Sequence, residues 1–116
     1  GHLVWEALEA AKQLEAEGIS AEVIDIHTIK PLDNEAILRS VAKTGCVVGC
    51  EEHQYNGGLN ESIAQLLVRN NPAPMEFVGV DDKFGESGTP DELMAKYGLK
   101  ATNIVAAAKK AIARKK

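Results

Sequence analysis

Four ionisable side chains follow two apolar segments and have the residue types needed for acid–base chemistry. Glu51, Glu52 and His53 come directly after the apolar pair at 47–48, and His27 ends an earlier apolar run. A carboxylate beside an imidazole is a grouping used in general acid–base catalysis, because a neighbouring charge tunes the pKa of the histidine. No nucleophile or cofactor loop accompanies these residues. We therefore favour a packing or interface role for them over catalysis by this chain alone.

A glycine pair, Gly57 and Gly58, separates the charged residues from the next helical pattern. Free amides at that helix start would suit a phosphate, whereas a tight turn would need glycine for positive φ. Neither a G-x-G-x-x-G sequence nor a P-loop with its lysine is present, which favours the turn. Either glutamate also has a structural alternative, in which it caps a neighbouring helix or pairs with a base.

The elements that must position these residues alternate between strands and helices. Apolar runs predict strands over Ala21–Ile26, Cys46–Cys50 and Met75–Val80, and helical spacing predicts helices around Leu3, Ile37, Ile63 and Ile104, with a shorter helix starting at Thr89. Such alternation is typical of a mostly parallel sheet with helices on both faces. The predicted fold is a three-layer α/β/α domain. His27 and the 51–53 segment then meet at the carboxyl edge of the sheet, where ligands and partners usually bind.

Composition limits the possible functions. The 116 residues predict one domain, with 45% apolar and 26% charged residues as in an ordinary globular protein. A net charge of −4 without a basic stripe argues against nucleic acid as a partner. No apolar run reaches the roughly 20 residues of a membrane span, and no secretory signal is present.

The two cysteines, Cys46 and Cys50, are four positions apart in a predicted strand. At about 3.3 Å per residue they lie about 13 Å apart, beyond the roughly 7 Å that a disulfide tolerates between Cα atoms. Reduced thiols in a cytoplasmic protein are the expected state. A metal site built from Cys50 and His53 lacks a second pair of ligands at zinc spacing.

Three linked segments resemble the C-terminal domain of transketolases. They are the strand and loop from Val23 to Asp33, the Glu51-Glu52-His53 segment followed by Gly57-Gly58-Leu59-Asn60-Glu61, and Phe84-Gly85-Glu86-Ser87-Gly88 with Tyr97-Gly98-Leu99. The resemblance covers nearly the whole chain, in order. His53 and the Gly-Glu-Ser-Gly loop are most similar to transketolase, and the spacing resembles the C-terminal subunits of split bacterial transketolases.

The resemblance implies a thiamine-diphosphate enzyme that moves a two-carbon ketol unit between sugar phosphates in the cytoplasmic pentose phosphate pathway. In that family an N-terminal domain holds the cofactor and its divalent metal, Mg²⁺, and a middle domain activates the cofactor. The C-terminal domain packs against the middle domain and contributes to dimerisation. The implied partners are therefore the N-terminal and middle domains and a second copy. No catalytic, cofactor or metal residue is expected in this chain, and His27, Glu51, Glu52, His53, Gly57 and Gly58 are the candidate interface or ligand edge.

One departure from the family lies before the first helix. The family has a strand there, inside the sheet, and this sequence opens almost directly on the helix. We expect the chain to be a fragment of a larger enzyme with an incomplete sheet, which closes on itself or borrows an edge from another copy.

Two alternative functions stay open from the sequence. The same domain occurs in deoxyxylulose-phosphate synthase and in the beta subunits of 2-oxo-acid dehydrogenases. The other alternative is a free-standing module that binds a small anion or a partner at the His27 and His53 edge.

Overall fold

The structure is a computed structural model that describes residues 2–25, 33–51, 58–79 and 99–115. Its elements in chain order are α1 (His2–Ala16), α2 (Asn34–Thr44), β1 (Val47–Glu51), α3 (Leu59–Asn70), β2 (Met75–Gly79) and α4 (Ala101–Ala113). The predicted short helix after Thr89 lies outside the described residues. Within the described ranges, no helix is long and apolar enough to cross a membrane.

The two strands pair in parallel. Val47 lies opposite Met75, and the register continues to Glu51 opposite Gly79. Because α3 connects them, β1, α3 and β2 form one βαβ unit, as the alternating pattern predicts. The observed strands agree with the predicted ones to within one residue over the described positions.

Helices cover both faces of this sheet. On one face α1 and α4 contribute Leu3, Ala10, Ile104 and their neighbours to a core that contains Val78 of β2. On the other face α2 and α3 form a second core from Ile37, Val41, Ile63, Leu66 and Leu67. Successive β1 side chains serve the two cores in turn, Val47 the second and Val48 the first, as the period of a strand requires. The three-layer α/β/α prediction is thereby confirmed for the described residues.

The helices α1 and α4 run side by side in the same direction. Glu6 accepts a hydrogen bond from the Ala101 amide at 2.8 Å, and Glu17, just after the end of α1, pairs with Lys109 of α4 at 2.7 Å. The far end of α4 returns to the start of β2, where Arg114 donates to the carbonyl of Met75 at 3.1 Å. Both helices therefore run antiparallel to the strands and begin at the carboxyl edge of the sheet.

Glycine and aspartate set several helix ends. Asp33 accepts from the Ala36 amide at 3.2 Å and caps α2. Gly45 ends the same helix with a φ of 85°, and Gly18 follows α1 with a φ of 81°. A left-handed backbone at a helix end is the conformation that glycine adopts at least cost.

The predicted strand over Ala21–Ile26 is wrong for the residues that the structure describes. Residues 19–25 belong to no sheet ladder, and β1 pairs only with β2 among the described strands. A strand needs a neighbour to complete its backbone hydrogen bonds, and an apolar gap of about 510 Å³ lies beside this segment instead. We call this gap the strand slot. Its lining comes from α1, residues 18–24, α2, β1, α3 and α4.

Candidate functional site at the carboxyl edge of the sheet

Two of the six candidate edge residues lie within the described residues. Glu51 is the last residue of β1, and Gly58 immediately precedes α3. The other four candidates, His27, Glu52, His53 and Gly57, lie outside the described residues.

The carboxylate of Glu51 is bound to the first turn of α3. It accepts from the Asn60 amide at 2.7 Å and from the Leu59 amide at 3.3 Å. The N-cap residue of α3 is a glycine and supplies no side-chain hydrogen bond, so a residue from the preceding strand caps the helix instead. A carboxylate there also meets the positive end of the helix dipole. Glu51 thus ties together the two ends of the segment that carries Glu52 and His53.

Gly58 does not adopt the positive φ expected of the glycine pair. Its φ is −58° and its ψ is 175°, values that other residues also adopt. Gly58 is buried, and the amides that follow it donate to Glu51. Two of the amides that would bind a phosphate at this helix start are therefore already bonded to a carboxylate of the chain itself.

Asn60, in the first turn of α3, is a buried polar residue. Only 3% of its surface is exposed, and its side-chain nitrogen donates to the carbonyl of Gly49 at 3.2 Å. A Cβ at Gly49 would overlap the Asn60 side-chain oxygen and lie 2.8 Å from Cε of Met75. The glycine inside a predicted strand was the signal for this close approach.

A second glutamate caps α4 at the same edge. Glu6 of α1 accepts from the Ala101 amide at 2.8 Å and lies 3.5 Å from the Lys100 ammonium. The two partners are 95 residues apart in the chain, so no local pattern indicates the contact. At this edge the starts of α3 and α4 are thus both closed by glutamates from neighbouring elements.

Burial limits the reactivity of the Cys50 thiol. Cys46 and Cys50 are both free. Burial raises the pKa of the Cys50 thiol to about 11. Since the thiolate is the reactive form, Cys50 has the character of a packing residue. Within the described part of the chain, no three His, Cys, Asp or Glu side chains come together as a metal site would require.

Comparison with known proteins identifies the family. The model of the family "Transketolase, C-terminal domain" matches residues 1–104, and the chain belongs to this family. The resemblance inferred from the three sequence segments is thereby confirmed.

The relatives are longer proteins. A 6-deoxy-6-sulfo-D-fructose transketolase subunit from a Clostridium species is 50% identical over 115 residues, which cover 99% of this chain and 36% of that protein. A 1-deoxy-D-xylulose-5-phosphate synthase of Geobacter sulfurreducens is 37% identical over 99% of this chain and 18% of its own length. A putative transketolase C-terminal section of Methanocaldococcus jannaschii is 40% identical over 90% of this chain and 32% of its own length.

A solved structure described as a split gene transketolase, inactive beta4 tetramer, has the same fold. It superimposes with a TM-score of 0.91 at 49% identity, over 100% of this chain and 38% of that chain. The chain therefore spans little more than a third of the length of the two proteins with which it shares about half of its residues.

Proposed function

We propose that the chain is the C-terminal domain of a split transketolase, an enzyme that transfers a two-carbon ketol unit between sugar phosphates. The observation that carries the proposal is the similarity, at 49–50% identity over essentially the whole chain, to a subunit and a structure that are both described as transketolases. The deoxyxylulose-phosphate synthases are more distant at 37% identity. The chain accordingly serves as one section of a larger enzyme.

Within that enzyme we assign this domain to packing and dimerisation, and the cofactor to the other domains. Thiamine diphosphate supplies the carbanion chemistry of the reaction when it is bound. The described residues fit neither the cofactor nor its Mg²⁺, because the helix-start amides of Leu59 and Asn60 are occupied by Glu51 and no acidic cluster faces them. The partners are the N-terminal and middle domains and a second copy of the enzyme.

The edge that carries His27, Glu52, His53 and Gly57 is the proposed contact with the middle domain. Glu51 supports this role by fixing the two ends of the 52–57 segment through α3. Charge-assisted hydrogen bonds at such a boundary contribute about 1.5–3 kcal/mol each before desolvation is subtracted. The edge therefore has enough polar groups to determine how two domains dock.

Reconstitution tests the proposed activity. The chain alone and the chain combined with the N-terminal and middle sections are assayed for thiamine-diphosphate binding by calorimetry and for ketol transfer. Sugar phosphates and 6-deoxy-6-sulfo-D-fructose serve as donors, and formation of 1-deoxy-D-xylulose 5-phosphate is measured in parallel. We expect neither binding nor turnover from the chain alone, and ketol transfer once the other sections are restored.

Two results would contradict the proposal. Thiamine-diphosphate binding by the chain alone would mean that the carboxyl edge holds a cofactor site. Formation of deoxyxylulose phosphate without ketol transfer would assign the chain to the synthase branch of the family.

Substitution of Glu52 tests the proposed interface. We expect Glu52→Ala to weaken association with the upstream sections by about tenfold, since one charge-assisted contact is lost, and to leave the free energy of unfolding of this chain nearly unchanged. Sedimentation of the mixed sections and urea denaturation of the chain measure the two effects. Glu35→Ala, at an exposed glutamate of α2, is the control. Equal losses in both measurements would assign Glu52 a folding role instead.

A further inference from the structure

Two exposed apolar side chains lie on the outer side of the βαβ unit. Val68 of α3 is 74% exposed and Phe77 of β2 is 59% exposed. Phe77 lies on the face of the sheet that α3 covers, because side chains two apart in a strand share a face and Met75 packs against the core of α2 and α3. As far as the structure describes the chain, β2 has a ladder partner on one side only. The outer side of Phe77 is therefore accessible to another protein.

Phe77 and an acidic residue lie beside the start of α3. The side chain of Asn60 donates to the Gly49 carbonyl at 3.2 Å, and Gly49 is opposite Phe77 in the ladder. Phe77 is therefore level with the first turn of α3. Glu61 is the acidic residue of that turn, and it is exposed. The start of the helix thus combines an exposed aromatic ring with a negative charge.

Val68 and a basic residue lie at the other end of α3. Asn60, Ala64 and Val68 are spaced by four residues and form one row on the helix, and in this row the Asn60 side-chain oxygen and Cε of Met75 meet above Gly49. Val68 therefore lies on the side of α3 that faces β2. The next residue, Arg69, is the basic residue of the last turn and is exposed. This end of the helix thus combines an exposed aliphatic side chain with a positive charge.

The two ends of α3 are complementary to each other. Glu61 and Val68 are seven residues apart, which is about 11 Å along the helix. If two copies are related by a twofold axis that crosses the middle of α3, the start of one helix lies beside the end of the other. Phe77 then meets Val68 of the second copy, and Glu61 meets Arg69 of the second copy. Each contact occurs twice, as in every isologous interface, and a parallel arrangement would instead bring like charges together.

We propose that the chain associates with a second copy of itself through Glu61, Val68, Arg69 and Phe77, with the two α3 helices antiparallel. The proposal rests on that part of the proposed function which makes a second copy a partner, and it names the surface of that contact. The 12 residues of α3 span about 18 Å, so one such pair buries less than the roughly 1,200 Å² of a stable interface. We therefore expect a weak dimer that forms as the protein concentration rises.

Sedimentation equilibrium of the chain over an about hundredfold range of concentration tests for this dimer. Phe77→Ser removes the aromatic ring from the proposed surface. The control, Trp5→Ser, removes a ring that is 71% exposed on α1. We expect Phe77→Ser to raise the dissociation constant of the dimer by about tenfold or more, and Trp5→Ser to leave it unchanged. Circular dichroism and urea denaturation confirm that both variants are folded.

Reversal of the two charges tests the antiparallel arrangement. Glu61→Arg places two arginines at each contact and Arg69→Glu places two glutamates there, so each variant alone should dimerise about tenfold more weakly than the parent. An equimolar mixture of the two variants pairs arginine with glutamate at both contacts and should restore association. Arg39→Glu, at an exposed arginine of α2, is the control and should not restore it.

Three results would overturn the proposal. The first is a chain that stays monomeric over the whole range of concentration. The second is an equal loss of association with Phe77→Ser and Trp5→Ser, which would indicate general apolar association. The third is a mixture of the two charge variants that associates no better than either variant alone. Since no enzymatic activity is measured, a failure of ketol transfer leaves the dimer result unchanged, and a monomeric chain leaves the transketolase proposal unchanged.

Discussion

At the scale of single residues, the carboxylate of Glu51 performs two tasks that a sequence pattern does not distinguish. It ends β1 and it caps α3 through the amides of Leu59 and Asn60, because the N-cap glycine offers no side chain. A side chain that satisfies two helix amides and lies at the positive end of the dipole contributes to stability before any partner docks. Any interface effect of a Glu51 substitution will therefore be mixed with a folding effect.

Substitution of Glu51 measures this contribution. We expect Glu51→Ala to lower the free energy of unfolding by about 1–2 kcal/mol, and Glu51→Gln by about half as much, since the amide keeps an acceptor but loses the charge. Urea denaturation of the chain measures both. Glu61→Ala removes an exposed charge from the same helical turn and should cost no more than about 0.5 kcal/mol. Equal losses of stability at positions 51 and 61 would mean that Glu51 contributes through its negative charge alone and not through its hydrogen bonds to α3.

Burial of the Cys50 thiol gives the chain a specific pH dependence. The pKa of Cys50 is raised from 9.0 to about 11 in the folded state, so the unfolded chain releases this proton more readily. The contribution of the neutral thiol to stability is fully present below pH 9 and is lost as the pH rises from about 9 to about 11. The loss amounts to about 1–3 kcal/mol.

Comparison with Cys50→Ala isolates the titration of this thiol. We expect the difference in free energy of unfolding between the parent and the variant to shrink over that pH range, and to stay constant at lower pH. Cys46→Ala is the control, and its difference from the parent should not follow the same profile. A parallel profile for both variants would assign the pH dependence to other groups.

At the scale of elements, a contact between neighbouring helices adds to the local cap of α4. The Lys100 amide donates to the side-chain oxygen of Asn103 at 3.1 Å, and Glu6 of α1 accepts from the Ala101 amide. The Glu6 contact lies partly buried, while the ion pair between Glu17 and Lys109 is half exposed and worth little on its own. The alignment of α1 on α4 therefore depends more on Glu6 than on the ion pair.

The contribution of Glu6 can be measured against a glutamate on the same helix. We expect Glu6→Ala to destabilise the chain by about 1–1.5 kcal/mol through loss of the amide hydrogen bond to Ala101. Glu9→Ala, at an exposed position of α1, should change stability by less than about 0.5 kcal/mol. Urea denaturation monitored by far-ultraviolet circular dichroism measures both. Similar effects at the two positions would show that α4 needs no cap from α1.

The elements that sequence predicted well are those that local chemistry determines. The Asp33 cap and the apolar periodicity of α2 and α3 depend on residues within a few positions, and the strands β1 and β2 have each other as partners. The strand over Ala21–Ile26 failed because apolar composition cannot supply a neighbour for its backbone. A strand depends on what lies beside it in space, whereas a helix satisfies most of its backbone internally.

At the scale of the whole molecule, the sequence motifs predicted the family and the layers correctly. They did not predict the contacts within the site. The caps by Glu51 and Glu6 join residues 9 and 95 positions apart, and only the folded arrangement of β1, α3, α1 and α4 brings them together. The buried role of Asn60 was hidden for the same reason, since its partner Gly49 lies in the preceding strand. Residue type indicated what these groups can bind, and topology decides what they do bind.

The strand slot leads to a prediction about the stability of the whole fold. Ala108 of α4 lines the slot, whereas Ala106 lies exposed on the same helix. In the 116-residue chain the slot has space, so we expect Ala108→Leu to stabilise the fold by about 0.5–2 kcal/mol, as cavity-filling substitutions commonly do.

Urea denaturation of the parent chain, Ala108→Leu and Ala106→Leu measures the effect. Ala106→Leu is the control and should change the free energy of unfolding by less than about 0.5 kcal/mol, because Ala106 lies exposed on α4. A leucine at position 108 that destabilises the chain would mean that the layer beside β1 is already closely packed. Stabilisation at 108 with little change at 106 would show that the gap is open space in the folded chain, because only an unfilled layer takes a larger side chain without strain.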